Sequence, residues 1–218
     1  MQQLYVLHRQ PLNESDWLLT VFSRESGRLT LVTPGRRHQI ELVLHTSYQA
    51  DWRKAADWPR IVAASERDVC HLEGDALFCG LYANELLVRL LMANEPAPAL
   101  YDHYASVLAA LSRGDHPEPW LRILEYQALQ HAGYGFSWGA TADGRPLSAG
   151  QRYDFVAGTG LISSSSGTYR AEWLLPFTGI GKPDETSWRC AKQILRLAID
   201  AAMERPLVSR QLFSWRNE

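Results

Sequence analysis

Hydrophobic and polar positions divide the chain into a strand-like first third and a largely helical remainder. Leu4-Tyr5-Val6-Leu7 is a short apolar run, and Trp17-Leu18-Leu19-Thr20-Val21-Phe22 is a longer one rich in aromatic and β-branched types. Ser23-Arg24-Glu25-Ser26-Gly27 supplies a turn. Arg28-Leu29-Thr30-Leu31-Val32-Thr33 then alternates with the period of a half-buried strand until Pro34-Gly35 breaks it. The segments 42–48 and 60–64 predict two further strands. Five short strands in about 65 residues suit a small closed barrel, which leaves no open edge.

The period then changes. Leu77, Phe78, Leu81, Tyr82, Leu86, Leu87, Leu90 and Leu91 recur at three- and four-residue steps, the signature of one wide apolar helix face. Leu100, Tyr101, Tyr104, Val107, Leu108 and Leu111 repeat it after the Pro96/Pro98 break. A third helix is predicted from Pro117-Glu118-Pro119, where proline suits a first turn, to Gly133 as its C′ residue. Such short connections make antiparallel neighbours. Residues 134–183 lack helical period, with short strands predicted at Tyr153–Val156 and Gly160–Ile162 and a flexible Ser163–Gly167 loop. A last amphipathic helix, capped by Asp184 or Thr186, places Trp188, Ala191, Leu195, Ala198 and Ala202 on one face. The expected fold class is α+β.

Composition narrows the function classes. A length of 218 residues allows one large domain or two small ones. The net charge of −2 provides no global field for nucleic acid, so any such binding needs a local patch. Residues 1–66 carry 8 Lys+Arg against 7 Asp+Glu, whereas residues 67–140 carry 4 against 9, so the middle is acidic. The chain shows no signal-peptide pattern at its start and no apolar run long enough for a membrane helix. Cys70, Cys79 and Cys190 are odd in number and too few for a disulfide scaffold, which suits thiols in the cytoplasm. Gly179-Ile180-Gly181-Lys182 is not a phosphate loop, because Pro176 and Pro183 stand where glycine and Ser/Thr are required. No Cys-x-x-Cys, Gly-x-Ser-x-Gly or His-Glu-x-x-His occurs, so no metal site, cofactor or catalytic centre is expected.

What remains is a set of cations at the strand ends and turns of the barrel segment: Arg9, Arg24, Arg28, Arg36, Arg37, Arg53 and Lys54. Tyr5, Trp17, Phe22, Tyr48 and Trp52 share that segment. Cations for phosphates beside rings for bases are what sequence-tolerant binding of single strands requires. A small barrel must also bury several of its own rings, so each ring taken singly is first a core candidate.

Several stretches carry a family resemblance. Val6-Leu7-His8-Arg9, Glu14-Ser15 ahead of a strand, and Phe22-Ser23-Arg24-Glu25-Ser26-Gly27-Arg28-Leu29 resemble the opening of the bacterial RecO recombination mediators. Leu81-Tyr82-Ala83-Asn84-Glu85-Leu86-Leu87 is similar to that family's first long helix, and Pro117–Arg122 with Gly133-Tyr134-Gly135 to a later helix and its exit. Arg205-Pro206-Leu207-Val208-Ser209-Arg210-Gln211-Leu212-Phe213 resembles its C-terminal signature.

The resemblance implies an OB-fold nucleic-acid-binding domain over residues 1–70. It also implies a helical domain over 71–218 with an irregular insertion at about 134–183. It further implies a non-enzymatic, cytoplasmic, nucleoid-associated protein that binds single- and double-stranded DNA and anneals complementary strands. With RecR, such a protein helps load RecA on DNA coated with single-strand-binding protein, whose acidic C-terminal tail docks on the helical domain. Arg122 matches the arginine expected to hold that tail. The alternative is a protein-interaction adaptor with little DNA binding of its own; a nuclease would need acidic metal ligands that the sequence does not display. Two departures stand out. Many members carry a four-cysteine zinc module after the Gly-Tyr-Gly segment, whereas residues 136–175 here contain no cysteine, so packing must hold that region. The segment after the third strand is also short and only modestly basic, which predicts weak, salt-sensitive binding.

Overall fold

The computed structural model describes residues 1–34 and 41–214. Five strands, β1 (Gln2–Pro11), β2 (Asp16–Ser23), β3 (Gly27–Pro34), β4 (Thr46–Arg53) and β5 (Arg60–Val69), close a barrel in the order β1-β2-β3-β5-β4. All pairs are antiparallel except β3–β5, which meet in parallel at Val32 and Arg60. This is the order of an OB-fold. Helices α1 (Gly74–Leu90), α2 (Pro98–Ser112) and α3 (Pro117–His131) follow, and then a three-stranded sheet of β6 (Arg152–Val156), β7 (Gly160–Ser163) and β8 (Tyr169–Arg170). A short α4 (Ala171–Leu174), the long α5 (Glu185–Ala202), and the terminal turns Val208–Arg210 and α6 (Gln211–Ser214) complete the order. The fold is α+β, as the periodicities predict.

The described chain forms two compact units, one of residues 1–34, 41–124 and 207–214, the other of residues 125–206. In the first, strand alternation sorts the side chains. Leu4, Val6, Leu19, Val21, Leu31 and Tyr48 fill the barrel. The intervening Tyr5 and Phe22 point outward, yet they are buried because α2 covers them. Tyr5 lies 5.1 Å from Tyr104 and 5.4 Å from Tyr101, ring centre to ring centre, and Phe22 lies 5.4 Å from Tyr101. Offset and edge-on aromatic pairs of this kind favour docking beyond the area they bury.

Glu85 of α1 holds the C-terminal segment. Its carboxylate accepts from the Val208 and Ser209 amides (2.9 and 2.8 Å) and the Ser209 hydroxyl (2.6 Å). Burial works to raise the Glu85 pKa, but these hydrogen bonds and Arg89 together carry it below the usual carboxylate value.

One strand departs from the sequence expectation. The apolar run 42–48 is not continuous, because β4 starts only at Thr46 and extends to Arg53. Leu42 is buried in the barrel, Leu44 makes a single parallel bridge to Val6, and His45 turns the chain with a left-handed φ of 60°. Core-filling side chains on a crossing loop mimic a strand pattern. In the second unit, a Schellman arrangement ends α3 at the expected glycine, with Tyr134 N–H donating to Leu129 O and Gly133 N–H to Gln130 O. Asp184 rather than Thr186 caps α5, accepting from the Ser187 amide at 2.7 Å. The cysteine-free region holds together through a run of rings, Phe136–Trp138–Phe177–Trp188, at centre separations of 4.8, 4.9 and 5.1 Å. Among the described residues no group of His, Cys, Asp and Glu could hold a metal ion.

Candidate nucleic-acid interface

OB-fold barrels take oligonucleotides across the β2–β3 face, bracketed by the β1–β2 and β4–β5 loops. Local sequence builds both loops here. Between Pro11 and Asp16 the Asn13 side chain accepts from the Ser15 and Asp16 amides, each at 2.9 Å, which closes a tight polar turn. The β4–β5 loop is Lys54-Ala55-Ala56-Asp57-Trp58-Pro59. Its far end is fixed to β3, because Val32 N–H donates to Pro59 O at 2.9 Å. Arg60 then joins the two loops through an ion pair with Asp16 at 3.2 Å.

The seven predicted cations fall into separate groups. Arg53 and Lys54, at the near end of the β4–β5 loop, are exposed and make no ion pair among the described residues. Arg9 lies 4.1 Å above the Trp17 ring and 2.8 Å from Glu41 Oε1, with its side chain only 22% exposed, so much of its charge is already matched. Arg24 and Arg28 flank the β2–β3 turn, at the opposite end of those strands from the β1–β2 loop, and both bind helical elements. Arg24 makes a two-pronged contact with Asp102 of α2 at 2.8 and 2.9 Å. The hydrogen bond raises the Arg24 pKa and lowers that of Asp102. Arg28 Nε donates to Leu91 O at 2.8 Å, and its own carbonyl accepts from Asn94 N–H at 3.0 Å. Arg36 and Arg37 lie outside the described residues.

The rings divide as sharply. Tyr5, Phe22 and Tyr48 are core, and the Tyr48 hydroxyl is held inside the barrel, accepting from Val43 N–H (2.9 Å) and donating to Glu41 O (3.2 Å). Trp17 and Trp52 are half-buried against the barrel core. Among the described residues of the barrel, the exposed ring is one that the strand pattern passed over: Trp58, 44% exposed on the β4–β5 loop. Its signal was the placement of a tryptophan inside a short, proline-ended loop of otherwise small or charged residues, where no core requires it.

Arg122 sits half-buried on α3 and engages a neighbouring group. Burial pushes the Cys79 thiol on α1 up to about 11 and Asp75 adds to this, while the Arg122 charge pulls the other way. Ile123 beside it is 40% exposed.

The model of the family described as recombination protein O, C terminal, matches residues 71–211, and its N-terminal counterpart matches residues 1–55. The chain belongs to the RecO family. It is 34% identical over 224 residues to the DNA repair protein RecO of Pseudomonas aeruginosa (strain LESB58), covering 100% of this chain and 96% of that protein. The RecO of Haemophilus influenzae (strain 86-028NP) is 32% identical over 225 residues, covering 98% and 95%. That of Stutzerimonas stutzeri (strain A1501) is 33% identical over 219 residues, covering 97% and 92%. As a RecO protein, this chain is a non-enzymatic recombination mediator. Among the described residues no helix is long and apolar enough to cross a membrane.

Proposed function

We propose that this RecO protein binds single- and double-stranded DNA through its barrel, residues 1–70, anneals complementary strands and, with RecR, helps load RecA on DNA coated with single-strand-binding protein. The observation that carries the DNA contact is the Arg53–Lys54 pair: two exposed cations with no ion-pair partner among the described residues, where β4 enters a loop that brackets the OB-fold face. Each phosphate they neutralise releases counterions, so affinity must fall steeply with salt.

Fluorescence anisotropy with labelled oligonucleotides at several salt concentrations tests this reading. Arg53→Ala with Lys54→Ala, and separately Arg36→Ala with Arg37→Ala, should weaken binding and flatten the salt slope by about one unit per residue removed. A flat titration of the unaltered protein at low salt and micromolar concentration refutes the DNA reading. It would leave the adaptor reading, which the carboxylate partners of Arg9, Arg24 and Arg60 favour.

For the acidic tail of single-strand-binding protein, the half-buried Arg122 offers a cation to the carboxylates and the exposed Ile123, in the same turn of α3, an apolar side chain to a terminal hydrophobic residue. Arg122→Ala should weaken capture of a tail peptide while DNA affinity stays unchanged. Equal loss of both would refute a tail-specific role.

A further inference from the structure

Trp58 is the one exposed tryptophan among the described residues. Exposing a large apolar ring to water is unfavourable, and a loop with two small alanines at 55 and 56 gives it no core to fill. No ring or cation partner is seen for it among the described residues, whereas Trp17 carries Arg9 and Trp120 stacks with His103.

The ring is nonetheless set on a fixed base. The residue before a proline is restricted to extended backbone. Pro59 O is tied to Val32 of β3 at 2.9 Å, and Arg60 is tied to Asp16 at the start of β2 at 3.2 Å. Across the loop stem, Arg53 pairs in the ladder with Arg60. An anchored, exposed ring therefore stands on the loop that begins at two exposed cations with no ion-pair partner among the described residues. Asp57, exposed beside it, discourages a phosphate at the loop tip and leaves the ring to a base.

We infer that Trp58 is the residue by which this barrel distinguishes single strands from duplex: its indole stacks on an unpaired base while Arg53 and Lys54 hold the adjoining phosphates. This rests on the DNA-binding reading above. A duplex keeps both faces of each interior base covered by its neighbours, so it offers the loop its phosphates and nothing to stack on. Every base has a π-face, so the contact is indifferent to sequence.

The test uses the full chain, a labelled oligothymidylate longer than one OB-fold site (about 4–16 nucleotides) and a duplex of equal length. Trp58→Ala should lower single-strand affinity about tenfold, the lower-middle range for one lost stack, and leave duplex affinity unchanged. Trp58→Phe should retain most of the single-strand affinity. On a strand of abasic sites, which keeps the phosphates and removes the bases, the unaltered protein should bind no better than Trp58→Ala. Equal loss on single strand and duplex, no loss on single strand, or undiminished preference for the intact strand in Trp58→Ala would each overturn the assignment while leaving DNA binding in place. Absence of any binding by the unaltered protein would overturn both together.

Discussion

Gly27→Ala is expected to destabilise the first unit by about 2–5 kcal/mol, the sum of a left-handed backbone penalty and an overpacking penalty. Gly27 closes the β2–β3 turn with φ 71°, a region L side chains rarely adopt. A Cβ built there would stand 1.9 Å from Glu95 O and 2.4 Å from its carbonyl carbon. Those are backbone atoms of the connection between α1 and α2, and Arg28 and Asn94 fix that connection against β3. It cannot step aside without breaking those bonds. Gly133 supplies the control: its φ is 81° but nothing lies within 4 Å of the built Cβ, so Gly133→Ala should lose only the backbone penalty of about 1–2 kcal/mol. Denaturant unfolding of both variants measures the difference. Equal midpoints for the two would show that the Glu95 approach is not a packing constraint.

The same turn explains why part of the candidate site was illegible in the sequence. The barrel was readable because strand alternation is a local property, and the helices because their apolar faces repeat every three or four residues. The cations were readable only as a set. Whether one is free depends on its partner, and the partner of Arg24 is Asp102, 78 positions away. Composition near residue 24 gives no hint of it. Arg9 and Arg24 are thus already matched by carboxylates, while Arg53 and Lys54, which look no different in sequence, have no such partner among the described residues. The rings misled for a related reason. Alternation identifies which side chains leave one face of a sheet, but Tyr5 and Phe22 leave the outer face and are covered by a helix encoded roughly eighty to a hundred residues later. Trp58 has the opposite history, being absent from every periodic pattern and exposed because of it. For the β4 segment, Leu42 and Leu44 satisfied a strand pattern while serving the core from a loop. The bend at His45, one left-handed residue, separates the two cases.

Asn84→Leu should be the second severe lesion. The β1–β2 register slips between Val6 and His8, so Leu7 is a bulge residue whose carbonyl has no ladder partner on β2. Asn84 of α1, 3% exposed, donates to that carbonyl at 3.0 Å. The Tyr104 hydroxyl of α2 in turn donates to Asn84 Oδ1 at 2.5 Å. One amide therefore satisfies a defect in the barrel and a buried phenol in a helix, and it joins three elements in doing so. A leucine of similar size keeps the packing but orphans both groups, each costing about 1–3 kcal/mol when left buried without a partner. Tyr104→Phe in the unaltered background orphans only Oδ1 and should cost less. In the Asn84→Leu background the same change removes a hydroxyl that has already lost its acceptor, so it should restore stability there. That reversal of sign is the decisive readout of a double-mutant cycle by chemical denaturation. If Tyr104→Phe is destabilising by the same amount in both backgrounds, the amide and the phenol act independently, and Asn84 does not join α2 to the bulge.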